Sequence, residues 1–157
     1  MNAATSHLVS TGDIANALKA QVSLVKLADG ATVAFQRVEM VDSESLLEAF
    51  QLLTISEQRI CLIVPLVEHW KTECSVRKVL TRKTVNFVLL ISDRVLGKRT
   101  TALYGDGSTG TPGAHKLVAL TLPLVTGQLL NNPNGVISTP TMADVAAVMT
   151  GAGVRQR

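Results

Sequence analysis

Charged and aromatic side chains are both scarce in this sequence. Of its 157 residues only 17% are charged, against about a quarter in an ordinary soluble domain. Only 3% are aromatic, and the five rings (Phe35, Phe50, Trp70, Phe87 and Tyr104) stand one by one along the chain. That scatter argues against a platform of stacked aromatics for single-stranded nucleic acid. Cysteine is limited to Cys61 and Cys74, with no CxxC spacing and no histidine-rich surroundings. No metal site is expected from them, and they are read as two free thiols or as a pair facing each other across a hairpin.

Other signals are missing as well. The first seven residues have neither a basic n-region nor an apolar h-region, so no secretory signal is expected and the protein should stay in the cytosol. Residues 117–143 carry no charged side chain, which raises the question of a membrane span. A spanning helix needs about 20 consecutive apolar residues. Here Pro123, Gly127 and the run Asn131-Asn132-Pro133-Asn134-Gly135 break the stretch, and no membrane partner is expected. The length fits one core. The expected organisation is a flexible N-terminus over 1–9, a single domain over 10–150 and a tail over 151–157.

The charge that is present is segregated. Residues 1–70 hold four basic against eight acidic groups, a net of −4, whereas residues 71–99 hold eight against two, a net of +6. The basic block invites contact with phosphates, with an acidic protein face, or simply with water along an exposed sheet edge. It also suggests a self-complementary arrangement, in which the acidic region of one copy meets the basic region of the next, the head-to-tail contact that closes rings.

The order of elements can be read from spacing. Ser10-Thr11-Gly12-Asp13 has the form of a capping box, and Ile14, Leu18, Val22 and Val25 draw one apolar stripe, so a helix is predicted over about 12–27. Asp29-Gly30 reads as a turn and 32–38 as a strand. Asp42 and Ser43 precede Leu46, Ala49, Phe50 and Leu53, which fit a short second helix. Residues 60–67 are apolar at almost every position, as in a strand covered on both faces. Pro65 should lie where that strand nears an edge or leaves the sheet. Residues 85–92 form the next strand, and Thr81-Arg82-Lys83-Thr84 is either a hairpin tip or the middle of one long ribbon. Residues 105–113 compose a glycine loop. Thr111 and Pro112 suggest the start of a helix running to about 130, with a kink at Pro123, and an apolar strand over 117–122 is the rival reading. A last helix is predicted over 140–149, capped by Thr139 and stopped by Gly151.

No motif spells out a chemistry. Gly105-Asp106-Gly107-Ser108-Thr109-Gly110 matches GxGxxG, but Pro112 and Gly113 interrupt the helix that should follow. No acidic residue lies about 20 positions on to bind a ribose, and no Walker lysine is present. Cys74, Ser92, His69 and His115 are the available nucleophiles and bases, with Asp93 or Asp106 as orienter, yet no elbow or spacing joins them. Glu44 and Glu48 share the solvated face of a short helix. The chain is therefore read as a non-enzyme without catalytic residues, cofactor or metal.

A leading amphipathic helix, the run Ser56-Glu57-Gln58-Arg59-Ile60-Cys61-Leu62-Ile63-Val64-Pro65, a basic hairpin, then Val88-Leu89-Leu90-Ile91-Ser92-Asp93-Arg94 and a helix after a glycine loop: this layout resembles the tail terminator and tail-completion proteins of long-tailed bacteriophages. The resemblance spans about residues 10–130. It implies an α+β fold, an antiparallel β-sheet with a long basic hairpin, flanked by helices. It also implies a structural virion protein of the tail or neck, assembled in the host cytoplasm, whose homo-oligomeric ring, usually a hexamer, sits on the tail tube and joins it to the head connector. The candidate interface residues are Arg77, Lys78, Arg82 and Lys83 on the ribbon and Arg94, Lys98 and Arg99 before the glycine loop. Glu39, Asp42, Glu44 and Glu48 are their acidic counterparts on a neighbour. The alternatives are another neck or tail-tube component and a nucleic-acid-binding module using the 71–99 ribbon, with nucleic acid in a ring's lumen as a further partner.

Overall fold

A computed structural model describes residues 10–42, 44–45, 47–48, 51, 58–77, 79–95, 98–126, 131–132, 135–136, 147–150 and 153–156. Helix α1 (Thr11–Ser23) opens with the predicted capping box: Ser10 Oγ accepts from Asp13 N at 3.0 Å, and Ser10 N donates to Asp13 Oδ2 at 3.1 Å. Two of the donors orphaned at the helix start are thereby satisfied. The predicted stripe faces inward, with Leu18, Val22 and Val25 buried and Ile14 packed on the same cluster.

The turn at Asp29-Gly30 also forms as read. Asp29 accepts from Thr32 Oγ1 at 2.6 Å and from the amides of Ala31 and Thr32, and these bonds, the Thr32 hydroxyl first, hold its carboxyl below the usual range. Gly30 supplies the positive φ of 69°. The strand predicted over 32–38 begins later. Val33 makes only an isolated bridge to Lys26, and β1 runs Arg37–Met40.

Strands β2 (Arg59–Cys74) and β3 (Val79–Asp93) form one long antiparallel hairpin. The sheet order is β1-β2-β3, and β1 lies parallel to β2, from Arg37 against Ile60 to Met40 against Ile63. The fold is α+β as expected, with one correction: the three-stranded sheet is mixed, because β1 runs alongside β2 in the same direction. Thr81–Thr84 lies within the ribbon, whose last pair is Cys74 with Val79. Ile60, Cys61, Leu62, Ile63 and Val64 are all buried, so both faces of the hairpin base are covered as the apolar run required. Pro65 comes two residues after the last pair with β1 and at the start of a register shift between Pro65 and Glu68. That is where a residue without an N–H is tolerated.

Helix α2 (Arg99–Tyr104) follows β3 and leads into the glycine loop. Helix α3 (Ala114–Val125) lies beside α1, and Gln21 Nε2 donates to Leu124 O at 2.9 Å. Ala114, Leu117, Thr121 and Val125 form its buried face, which decides for helix over strand at 117–122. The helix starts after Pro112, with Gly113 as N-cap, and ends two residues beyond Pro123. No described helix is long and apolar enough to cross a membrane. Farther on, β4 (Asn131–Asn132) pairs with β5 (Gly135–Val136), and β6 (Ala147–Thr150) with β7 (Gly153–Gln156). The predicted helix over 140–149 is corrected at its end, where residues 147–149 are extended and paired. Residues 140–146, the N-terminal nine and most of the second predicted helix lie outside the described residues.

Candidate assembly surface

The hairpin changes character along its length. Below the register shift its side chains fill the core; above it every described residue of β2, from Leu66 to Cys74, is exposed. Beyond the shift seven rungs remain, from Glu68 against Val85 to Cys74 against Val79, an arm of roughly 20 Å at about 3.3 Å per residue. β1 pairs with β2 only below Pro65, so within the described residues the arm is a bare two-stranded ribbon. The extra residue on β2 exchanges its alternation, as a bulge does. Cys61 and Ile63 share a face with Ile91 and Leu89 below the shift, whereas Glu68, Trp70, Thr72 and Cys74 hold the corresponding place above it. Thr11 Oγ1 donates to Glu68 Oε1, tying the start of α1 to the base of the arm.

Leu66, Val67 and Val79 on the arm are about half exposed or more, and Val76 at the turn is fully exposed. Sequence reasoning ranked the basic residues and expected Leu66 and Val67, as part of 60–67, to be covered on both faces; that expectation is corrected beyond Pro65, where both are exposed. The available signal was Leu66-Val67 continuing an apolar run past a proline. Lys71 bonds Glu73 at 2.9 Å on the same strand, but the residue opposite Lys71 is Arg82. Like charges placed opposite each other weaken a strand pair.

At the other end of the hairpin is a buried polar clamp. Arg59 and Asp93, paired in register, are 7% and 2% exposed. Arg59 donates through Nε to Ala34 O at 2.9 Å and through Nη1 to Gly110 O at 2.8 Å. Asp93 accepts from Gln58 Nε2 at 2.9 Å and from Gly113 N at 2.8 Å. Gln36 Oε1 takes the amides of Gln58 and Arg59. These bonds hold both the tip and the C-terminal end of the glycine loop to the sheet. The loop closes on itself: a Cβ on Gly113 would sit 2.2 Å from Gly105 N, and a Cβ on Gly105 would sit 2.5 Å from Pro112 O. Both glycines have positive φ, near 80°. Tyr104 and His115 stack across the neck, ring centres 5.2 Å apart. The loop thus serves as an anchored surface feature, and Asp93 already occupies the start of α3, where a dinucleotide phosphate would need to bind. Among the described residues, no three His, Cys, Asp or Glu side chains are placed to hold a metal.

The predicted basic block is divided between two ends of the molecule. Arg77 lies exposed at the arm's turn, Lys78 falls outside the described residues, and Arg82 and Lys83 occupy rungs within the arm. Arg94, Lys98 and Arg99 follow the far end of β3, roughly 45 Å away by strand rise. Of the acidic candidates, Asp42, Glu44 and Glu48 are exposed just past β1. Glu39 bonds Arg37 at 3.1 Å and Lys19 at 3.5 Å within its own chain. The two cysteines belong to one strand, buried Cys61 at its base and exposed Cys74 at its end, so they do not face each other. Cys74, Ser92, His69 and His115 are not brought together: Cys74 and His69 are on the arm, Ser92 is buried at the hairpin base, and His115 begins α3. No protein-family model, curated protein or solved structure matches the chain.

Proposed function

We propose that this protein is a structural subunit of a long-tailed phage virion, a tail terminator that assembles into a homo-oligomeric ring on the tail tube and joins it to the head connector. The observation that carries this reading is the arm. A bare two-stranded ribbon is marginal in water, and among the described residues this one has no third strand and leaves Leu66, Val67 and Val79 exposed. A subunit whose role is to bind its neighbours accounts for such an element. The order of elements over about 10–130, the segregated charge and the low charged fraction support the same role. A nucleic-acid module using the 71–99 segment as one surface is less well served, because its basic residues lie at opposite ends of β3. The hexamer number, the place in the neck or tail and the connector as partner come from the resemblance.

Light scattering on the eluting protein, with electron microscopy of tails assembled in its presence, tests the proposal. A ring-sized particle that caps tails of uniform length is the expected result. A strictly monomeric protein that leaves tails uncapped overturns it.

A further inference from the structure

We infer that the arm of one copy is received by the acidic segment just beyond β1 of the next copy, the segment that carries Asp42, Glu44 and Glu48. The inference rests on the self-assembly part of the proposed function and names the surface that completes it.

Met40, at the end of β1, is in register with Ile63, while the arm ends at Cys74, roughly 35 Å farther along β2, so the arm projects beyond the three-stranded part of its own sheet. The chemistry of the arm indicates the sign of a second copy that would receive it. Lys71 and Arg82 face each other across the ribbon, Lys83 is opposite Trp70, and Arg77 stands at the turn. An acidic surface would relieve the like-charge pair and gain from the excess. Residues 1–70 have a net charge of −4, and their described exposed carboxylates include Asp42, Glu44 and Glu48. Glu39 is already held between Lys19 and Arg37 and is left out of the acceptor.

Two further features mark this edge of the molecule. β1 is at the edge of the sheet, and no described strand pairs with its outer side, so main-chain pairing is available there. Asp42 accepts from Ser45 N at 2.7 Å and Ser45 Oγ at 3.3 Å, the amide bond first in holding its carboxyl below the usual range. Because donor and acceptor are different patches, the contact is heterologous and repeats around a ring.

Charge exchange on the full-length protein provides the test. An arm variant, Arg77→Glu/Arg82→Glu, and an acceptor variant, Glu44→Lys/Glu48→Lys, should each raise the concentration needed for half-assembly by at least about tenfold, with thermal melting of the monomer unchanged. Mixing the two variants should restore assembly, since each then meets an opposite charge, and a chain carrying all four substitutions should assemble alone. Assembly that persists in either single variant overturns the inference, as does loss in both without rescue. The function reading fails separately: a restored ring that caps no tails refutes the phage role while the contact stands, and tails capped normally by both variants refute the contact alone.

Discussion

The two halves of the β2–β3 hairpin share strands, pairing and chain direction, yet they are built for different surroundings. From Ile60 to Val64, β2 is buried on both faces, against the α1–α3 cluster on one side and in the group of Leu62, Val64 and Leu90 on the other. From Leu66 onward every residue of it is exposed. Secondary structure alone does not distinguish the halves, because the ladder resumes after the bulge. What separates them is whether apolar side chains have a partner inside the chain. The base is finished by its own fold, and β2 in the arm is left exposed.

The largest effect that tests this contrast comes from deleting matched leucines. Leu62→Ala should cost about 2–5 kcal/mol of stability, because it empties a site that is 0% exposed. Leu66→Ala, only four residues along the same strand, should cost the monomer less than about 0.5 kcal/mol while weakening assembly. Denaturant unfolding of the isolated chain, set beside its oligomer mass, measures both. Equal stability losses would erase the distinction.

A somewhat smaller effect sharpens the comparison at the clamped end. Gly113 and Gly107 both have positive φ, 82° and 85°, but an added Cβ would meet backbone 2.2 Å away at Gly113 and nothing within 4 Å at Gly107. Gly107→Ala should therefore cost only about 1 kcal/mol for its left-handed backbone, and Gly113→Ala about 3 kcal/mol, since the loop neck must open. Asp93→Ala, which orphans Gly113 N and removes one of the two acceptors of Gln58 Nε2, should cost about 1–3 kcal/mol and expose the loop to proteolysis. A loop cut no faster in Asp93→Ala would show that the clamp does not hold it.

How much of this the sequence disclosed depends on whether the signal was local. The capping box at Ser10, the Asp29-Gly30 turn, the doubly covered base and the break at Pro65 follow from residues a few positions apart, and each was legible. The parallel placement of β1 was not, since hydrophobic alternation carries no strand direction. The clamp was hidden for a related reason: Gln36, Arg59, Asp93 and Gly110 are brought together across 74 positions of chain, and no spacing rule joins them. Arg94, Lys98 and Arg99 were grouped with Arg77, Arg82 and Lys83 because they are close in sequence, yet a 15-residue strand carries the two groups apart. The arm's basic residues were visible as charge, while Leu66 and Val67 read as the continuation of a strand covered on both faces, because an apolar run carries no mark of where its cover ends.

The smallest expected effect uses the two thiols as reporters of the two halves. Burial pushes the Cys61 thiol up to about 12 from an ordinary value of 9.0, whereas Cys74 is exposed at the end of the arm. Thiolate is the reactive form, so a disulfide reagent at pH 8 should titrate one thiol quickly in the native protein and two in denaturant. The same displacement makes stability fall as pH rises from about 9 toward 12, because over that window the unfolded chain has given up the Cys61 proton that the fold retains. Below about 9 both states keep it and the slope from this group vanishes. Cys61→Ala should flatten that alkaline slope, and Cys74→Ala should leave it unchanged. Assembly should then slow the labelling of Cys74 while Cys61 stays unreactive throughout; two fast thiols in the native monomer would mean that the hairpin base is as open as the arm.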